Sequence, residues 1–182
     1  MENSPIDTSV LAPVPIKFYG VSLRKLIIFN VLTCRFYTIY WFCKNWLMVR
    51  EVEQEDILPI ARGLFSIFFC IELFEKIFLR VKIEKKQVLS ARGLGWLYIF
   101  LSLTGAVISR INFMPPIAHL LALLILVSTT LPLIYVQRAI NLNNKNLDSS
   151  FEPENNFSGK EKVVLAVGSV FFALLIIGYI AE

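Results

Sequence analysis

The sequence predicts an all-α integral membrane protein, a helical bundle of about five transmembrane helices. Hydrophobic residues make up 56% of the 182 residues and charged residues only 18%, a composition typical of membrane proteins. Several apolar runs reach the roughly 20 residues that a helix needs to cross a bilayer core of about 30 Å. Basic residues gather beside the ends of these runs, which indicates membrane orientation and argues against a nucleic-acid partner.

The chain divides into four predicted parts. Residues 1–21 contain Pro5, Pro13 and Pro15 and lack the basic start and short apolar core of a signal peptide, so we expect a mostly disordered cytoplasmic tail. Residues 22–140 predict a four-span membrane core. Residues 141–162 are rich in Asn, Ser and Glu and predict a flexible cytoplasmic loop, and residues 163–182 predict the fifth transmembrane helix.

The five predicted spans differ in regularity. They lie at 22–49, 59–79, 93–109, 116–136 and 163–180. The first span is the least regular, because Asn30, Arg35 and Lys44 interrupt its apolar residues. The second is more polar than a simple anchor because it contains Glu72 and Glu75. The other three are conventional apolar runs.

The distribution of lysine and arginine predicts the orientation. In a five-span protein, the connection after the second span shares a side with the N-terminus and with the 141–162 loop, and all three are basic, whereas the first loop on the opposite side is acidic. The positive-inside rule therefore predicts a cytoplasmic N-terminus and a periplasmic C-terminus. The predicted basic cluster at the membrane surface, suited to anionic lipid, consists of Arg80, Lys82, Lys85, Lys86 and Arg92.

A candidate packing or partner stripe lies in the first span. At helical spacing, Tyr37, Tyr40, Trp41 and Lys44 share one face, and Trp46 lies with Arg35 on the other. Two interpretations stay open. In the first, the stripe lines a cavity or binds a partner. In the second, Trp41, Lys44 and Trp46 form an outer aromatic and basic anchor, and the tyrosines pack on other helices.

Four segments, 21–26, 37–46, 57–65 and 68–69, resemble an uncharacterised family of small bacterial inner-membrane proteins. That family has a YWFYKNW-like motif, similar to residues 40–46, followed by P-x-x-R-x-x-F, similar to residues 59–65. The resemblance implies a bacterial inner membrane and no established activity. Cys43 stands where the family has an aromatic residue, and Arg35 where a glycine is expected. A glycine there would let the first span bend or break before Tyr37.

Charged residues within the first two spans form a candidate intramembrane ion pair. By the helical rise, Arg35 and Glu72 both lie within their spans instead of at the ends, so they can be neighbours. Lys76 follows Glu72 by four residues, the favourable order for a pair within a helix. Because charges inside a bilayer are costly unless paired, this cluster is either a structural ion pair or a proton- or ion-linked site.

The sequence contains no motif that fixes a reaction. Cys34, Cys43 and Cys70 have no CxxC spacing and His119 is the single histidine, so we expect no metal and no cofactor. The sequence predicts a non-enzymatic accessory or interaction component that contacts the bilayer and another membrane protein or a second copy of itself. The alternative is a small oligomeric transporter or channel-like protein that uses Glu72 and Arg35.

Overall fold

The computed structural model describes residues 15–81, 90–108 and 115–181. Within these ranges the chain forms helices and no β-strand. The helices are α1 (Leu23–Leu32), α2 (Phe36–Glu53), α3 (Pro59–Leu64), α4 (Ser66–Arg80), α5 (Ala91–Ile108), α6 (Pro115–Ser128), α7 (Thr130–Leu147) and α8 (Gly159–Ala181). The predicted all-α class is therefore confirmed for the described residues.

Three helical stretches among the described residues are long and apolar enough to cross a membrane. They are Ala91–Ile108 in α5, Leu123–Leu147 across the junction of α6 and α7, and Gly159–Gly178 in α8. These stretches correspond to the third, fourth and fifth predicted spans. The predicted count of five is not confirmed, because the first two predicted spans are each divided into two shorter helices.

The first predicted span reverses direction between α1 and α2. Cys34 and Arg35 have left-handed backbone conformations, with φ of 46° and 74°, which end α1. The rings of Phe29 and Tyr37 are 4.8 Å apart, although residues eight positions apart in a continuous helix are separated by about 12 Å. Thr33 Oγ1 donates to the Phe29 carbonyl and accepts from the Tyr37 amide. The two helices therefore form a hairpin, which we call the first helix pair.

The second predicted span changes direction at Phe65, between α3 and α4. A continuous helix would separate Pro59 from Lys76 by about 26 Å. Instead, Lys76 Nζ lies 2.6 Å from Oε1 of Glu55, just before α3. The chain therefore leaves one end of the molecule in α3 and returns to it in α4. We call α3 and α4 the second helix pair.

The end of α2 and both ends of the second helix pair lie at the same end of the molecule as the start of α5. Glu53, the last residue of α2, contacts Lys76 and Arg80 near the end of α4. Glu75 of α4 contacts Arg92 in the first turn of α5. The reversal at Arg35 lies farther from this end, beside Ser102 in α5. Neither helix pair therefore reaches as far from this end as α5 does.

The N-terminal segment 15–22 is packed against the end of α7. Ile16, Phe18 and Val21 are fully or almost fully buried, so the prediction of a disordered tail is wrong for residues 16–21, while residues 1–14 lie outside the described part. The predicted loop at 141–162 is also wrong in its first third and in its last four residues, because α7 continues to Leu147 and α8 begins at Gly159. Buried Asn143 and Asn144 hold the N-terminal segment through its backbone.

Candidate functional site

The predicted ion-pair residues Arg35, Glu72 and Lys76 are not brought together. Glu72 Oε1 instead accepts from Arg62 at 2.6 Å, because the bend at Phe65 turns α4 back beside α3. Lys76 bonds to Glu53 and Glu55, and its hydrogen bond lowers the pKa of the Glu55 carboxyl. The predicted Arg35–Glu72–Lys76 cluster is therefore replaced by two separate charge networks.

Arg35 closes the first helix pair against α5. Its guanidinium donates to Ser102 Oγ at 2.8 Å and lies 5.5 Å from the centre of the Tyr98 ring. Its backbone has a φ of 74°, in the left-handed region that glycine adopts without a steric penalty. The position where the family resemblance implies a glycine thus has the backbone that a glycine favours, while the arginine side chain adds contacts.

Separate substitutions at Arg35 should distinguish the backbone effect from the side-chain effect. Arg35→Ala removes both contacts and keeps a Cβ in the left-handed conformation, whereas Arg35→Gly also relieves that strain. We expect the glycine variant to be more stable than the alanine variant by about 1 kcal/mol, measured by unfolding in mixed micelles. Arg138 is exposed in the middle of α7. There the alanine variant should be more stable than the glycine variant, since glycine is the poorer helix former. The same ranking of the glycine and alanine variants by stability at both positions would contradict the proposed backbone strain at Arg35.

The predicted aromatic stripe divides between the core and a groove. Trp41 and Trp46 are fully buried, so the interpretation of these two residues as an outer anchor is wrong. Trp41 Nε1 donates to Gln137 Oε1 at 2.6 Å, and the Trp46 ring lies 4.3 Å from the Arg62 guanidinium. Lys44 lies over the ring of Tyr40, 5.7 Å from its centre.

The predicted basic cluster is described only in part. Arg80 contacts Glu53 and the Lys76 carbonyl, and Arg92 contacts Glu75. Arg80 therefore joins α4 to α2, and Arg92 joins α5 to α4. Lys82, Lys85 and Lys86 lie outside the described residues.

A groove of about 930 Å³ separates the first helix pair from α8. One wall consists of Phe29, Thr33, Phe36, Tyr37 and Tyr40. The other consists of Val163, Val164, Val167, Gly168 and Phe171. Gly168 packs against the Leu32 carbonyl, which brings α8 close to the tip of the first helix pair. The groove is therefore an apolar cleft. We call the first wall, which is mostly aromatic, the aromatic wall, and the second, which is aliphatic apart from Phe171, the aliphatic wall.

One end of the groove is polar. Glu154, Ser158, Lys160 and Glu161 line it there, immediately before α8 and in its first turn. Ser158 and Glu161 form a capping box, in which the Ser158 amide donates to the Glu161 carboxylate and the Glu161 amide donates to Ser158 Oγ. This reciprocal pair fixes the start of α8 and aims the Glu161 carboxylate back toward α1.

Lys25 of α1 lies fully buried behind this polar end. Its Nζ donates to Glu154 Oε1 at 2.7 Å, to the Asn156 carbonyl at 2.9 Å and to Glu161 Oε2 at 2.9 Å. The two carboxylates compensate the buried ammonium, which would otherwise be costly. The Lys25–Glu154–Glu161 triad thus ties α1 to the segment before α8 and closes one end of the groove.

Tyrosines connect the groove wall to the N-terminal segment. The Tyr19 and Tyr37 hydroxyls are 3.3 Å apart, and the Tyr19 and Tyr40 rings meet edge to face at 5.8 Å. Burial raises the pKa of the Tyr19 phenol above its usual range. Tyr37 and Tyr40 therefore face a cleft on one side and the packed N-terminal segment on the other.

The comparisons with known proteins do not identify a relative of this chain. No protein-family model, curated protein or solved structure matches it at a significant level.

Proposed function

We propose that this chain is a non-enzymatic accessory or interaction component of a membrane, which crosses the bilayer three times. In this arrangement α5, the α6–α7 stretch and α8 are the crossings. The first and second helix pairs enter the bilayer from the cytoplasmic side and return to it. The bacterial inner membrane implied by the family resemblance is part of this proposal, with the N-terminus in the cytoplasm and the C-terminus in the periplasm.

The charge distribution is the main support for this arrangement. If both helix pairs return to one side, three connections share that side with the N-terminus. They are the basic connection after α4, the basic connection between α7 and α8, and the acidic 54–58 connection. The connection between α5 and α6, residues 109–114, then carries Arg110 as its one basic residue. This asymmetry follows the positive-inside rule more closely than five spans do, since five spans leave Arg50, Arg62 and Arg110 toward the outer side.

Exposed apolar side chains on the second helix pair favour its insertion into lipid. Ile60, Phe68 and Leu79 in this helix pair, and Leu58 directly before it, are each at least 70% exposed. Contact of such large apolar side chains with water is unfavourable. Lipid contact removes these side chains from water, which supports a helix pair that lies within the bilayer instead of on its surface.

The paired charges support an interaction role over transport or catalysis. Lys25, Glu72 and Lys76 each lie in a salt bridge that joins two parts of the fold. A transporter built on Glu72 and Arg35 required these residues to meet, and they do not. Affinity co-purification from native membranes tests the interaction role: repeated recovery of one membrane complex supports it, and recovery of this chain alone argues against it.

Cysteine labelling distinguishes three crossings from five. In a background with Cys34, Cys43 and Cys70 replaced by serine, we expect Asp56→Cys to resist a membrane-impermeant maleimide in intact cells. Asn155→Cys should behave in the same way, and Asn112→Cys should react. Opening the membrane should make the two protected positions reactive. Direct labelling of Asp56→Cys would restore the five-span arrangement and overturn the three-crossing one.

A further inference from the structure

The groove between the first helix pair and α8 has the layout of a site for one amphipathic molecule. Its volume of about 930 Å³ lies at the upper end of the roughly 300–1,000 Å³ typical of small-molecule sites. The walls are apolar along most of the cleft, and the charged groups are confined to the end beside Glu154 and Lys160. A molecule with a polar head and long apolar chains fits this separation.

The charges at the polar end balance. Lys25 and Lys160 carry two positive charges, and Glu154 and Glu161 carry two negative charges. A ligand with net charge would leave one charge at this end uncompensated, whereas a zwitterionic headgroup leaves the total at zero. The charge balance therefore favours a zwitterionic headgroup over an anionic one.

The accessible groups at this end match the two charges of such a headgroup. The Glu154 side chain is 46% exposed although one of its oxygens accepts from Lys25, so it has accepting capacity toward the groove. Lys160 is exposed at the rim and offers three donors to a phosphate. A primary ammonium donates hydrogen bonds to a carboxylate, and a quaternary ammonium does not.

We propose that the groove binds one phospholipid whose headgroup carries a phosphate and a primary ammonium, as in phosphatidylethanolamine. The phosphate lies at Lys160 and the ammonium at Glu154. The acyl chains lie between the aromatic wall at Phe36 and Tyr37 and the aliphatic wall at Val167. This inference rests on the proposed membrane arrangement, and the maleimide experiment tests that arrangement independently of lipid binding.

Native mass spectrometry of the delipidated full-length protein tests the site. The protein is reconstituted with equal amounts of dioleoyl phosphatidylethanolamine, phosphatidylcholine and phosphatidylglycerol and then released from the micelle. We expect one retained phosphatidylethanolamine for each chain. Val167→Trp, which fills the groove, should lower its retention at least tenfold. Val170→Trp is the matched control, since Val170 is similarly exposed on α8 but does not line the groove.

Charge variants test the headgroup assignment. Lys160→Gln should lower retention several-fold, whereas Lys162→Gln, which alters an exposed lysine on the same helix outside the groove lining, should not. Glu154→Gln removes one negative charge and should shift the preference toward phosphatidylglycerol. Thermal unfolding confirms that each variant is folded before its retention is compared.

Several results would overturn the proposal. They are equal retention of the three lipids, a preference of the wild-type protein for phosphatidylglycerol, and equal losses in Val167→Trp and Val170→Trp. A second copy of this chain retained in place of lipid, and displaced by Val167→Trp, would identify the groove as a subunit interface. In each case the labelling pattern of Asp56→Cys still decides the membrane arrangement.

Discussion

Replacement of Lys25 by methionine is expected to lower the free energy of unfolding by about 3–5 kcal/mol. The Lys25 side chain is fully buried, and the Glu161 side chain opposite it is only 20% exposed. Methionine fills much of the same volume but donates no hydrogen bond, so the Asn156 carbonyl loses the bond from Lys25 and the Glu161 carboxylate keeps the bond from the Ser158 amide without a compensating positive charge. Breaking a buried pair from one side costs more than the pair itself contributes, because an uncompensated charge is left behind.

The neighbouring pair of Lys17 and Asp148 is the matched control. Its Nζ–Oδ2 distance is 3.0 Å, similar to those around Lys25, but its side chains are 54% and 40% exposed. We expect Lys17→Met to cost much less than Lys25→Met, because water solvates the Asp148 carboxylate that is left behind. Unfolding in mixed micelles measures both variants. Equal losses of unfolding free energy in Lys25→Met and Lys17→Met would mean that burial does not strengthen the contribution of the Lys25 salt bridges to stability.

A second comparison separates lost charge compensation from lost packing. If Lys25→Met destabilises by leaving carboxylates unpaired, then adding Glu154→Gln and Glu161→Gln should recover part of the loss. The coupling free energy between the lysine substitution and the two glutamate substitutions should be large, since the three side chains share one hydrogen-bond network. A triple variant that is less stable than Lys25→Met alone would assign the loss to packing.

The three apolar stretches could be predicted from the sequence because they depend on local composition. The predicted spans 93–109 and 163–180 lie close to α5 and α8, since hydropathy and length define a helix of this kind. The same criterion failed in the first eighty residues. An apolar segment has the same composition whether it crosses a bilayer or turns back within it, so the reversals at Arg35 and Phe65 were not visible in hydropathy.

The partners of the charged residues depended on those reversals. Arg35 and Glu72 were a candidate pair because both lie inside spans that were assumed to be straight. The bend at Phe65 brings Arg62 to Glu72 instead, across ten positions of sequence. Lys25 and Glu154 are 129 positions apart, and no local pattern indicates that they meet.

One feature of the candidate site did have a local signal. Ser158 and Glu161 have the S-x-x-E spacing of a capping box directly before an apolar run. That spacing predicts a helix start at Gly159, four residues before the 163 assigned from hydropathy. It would also have identified Glu161 as a carboxylate fixed near the start of α8, although not its partner Lys25.

The asparagines near the end of α7 were misassigned for a different reason. Asparagine favours turns and caps because its side chain competes for backbone hydrogen bonds. In this fold the side chains of Asn141, Asn143 and Asn144 bond to the backbone of the N-terminal segment, while their own backbone stays helical. Their role depends on a segment more than 100 positions away, which composition cannot indicate.

Replacement of Asn144 by leucine is therefore expected to release the N-terminal segment from α7. The Asn144 amide donates to the Phe18 carbonyl at 2.7 Å, and its oxygen accepts from the Phe18 amide at 3.0 Å. Both residues are buried, so leucine leaves a backbone donor and acceptor without partners. With a cost of about 1–3 kcal/mol for each unsatisfied group, we expect a loss of roughly 2–4 kcal/mol in unfolding free energy.

Asn146→Leu is the matched control for this change, because Asn146 lies two residues further along α7 and is exposed. It should alter the unfolding free energy by no more than about 0.5 kcal/mol, as surface substitutions usually do. Hydrogen exchange provides a local readout: the Phe18 amide should exchange much faster in Asn144→Leu and unchanged in Asn146→Leu. Persistent protection of that amide in Asn144→Leu would mean that other contacts hold the segment, such as the bond from Asn143 to the Ile16 carbonyl. Release of the segment should also free Tyr19 from Tyr37 and Tyr40, and so loosen the aromatic wall of the groove.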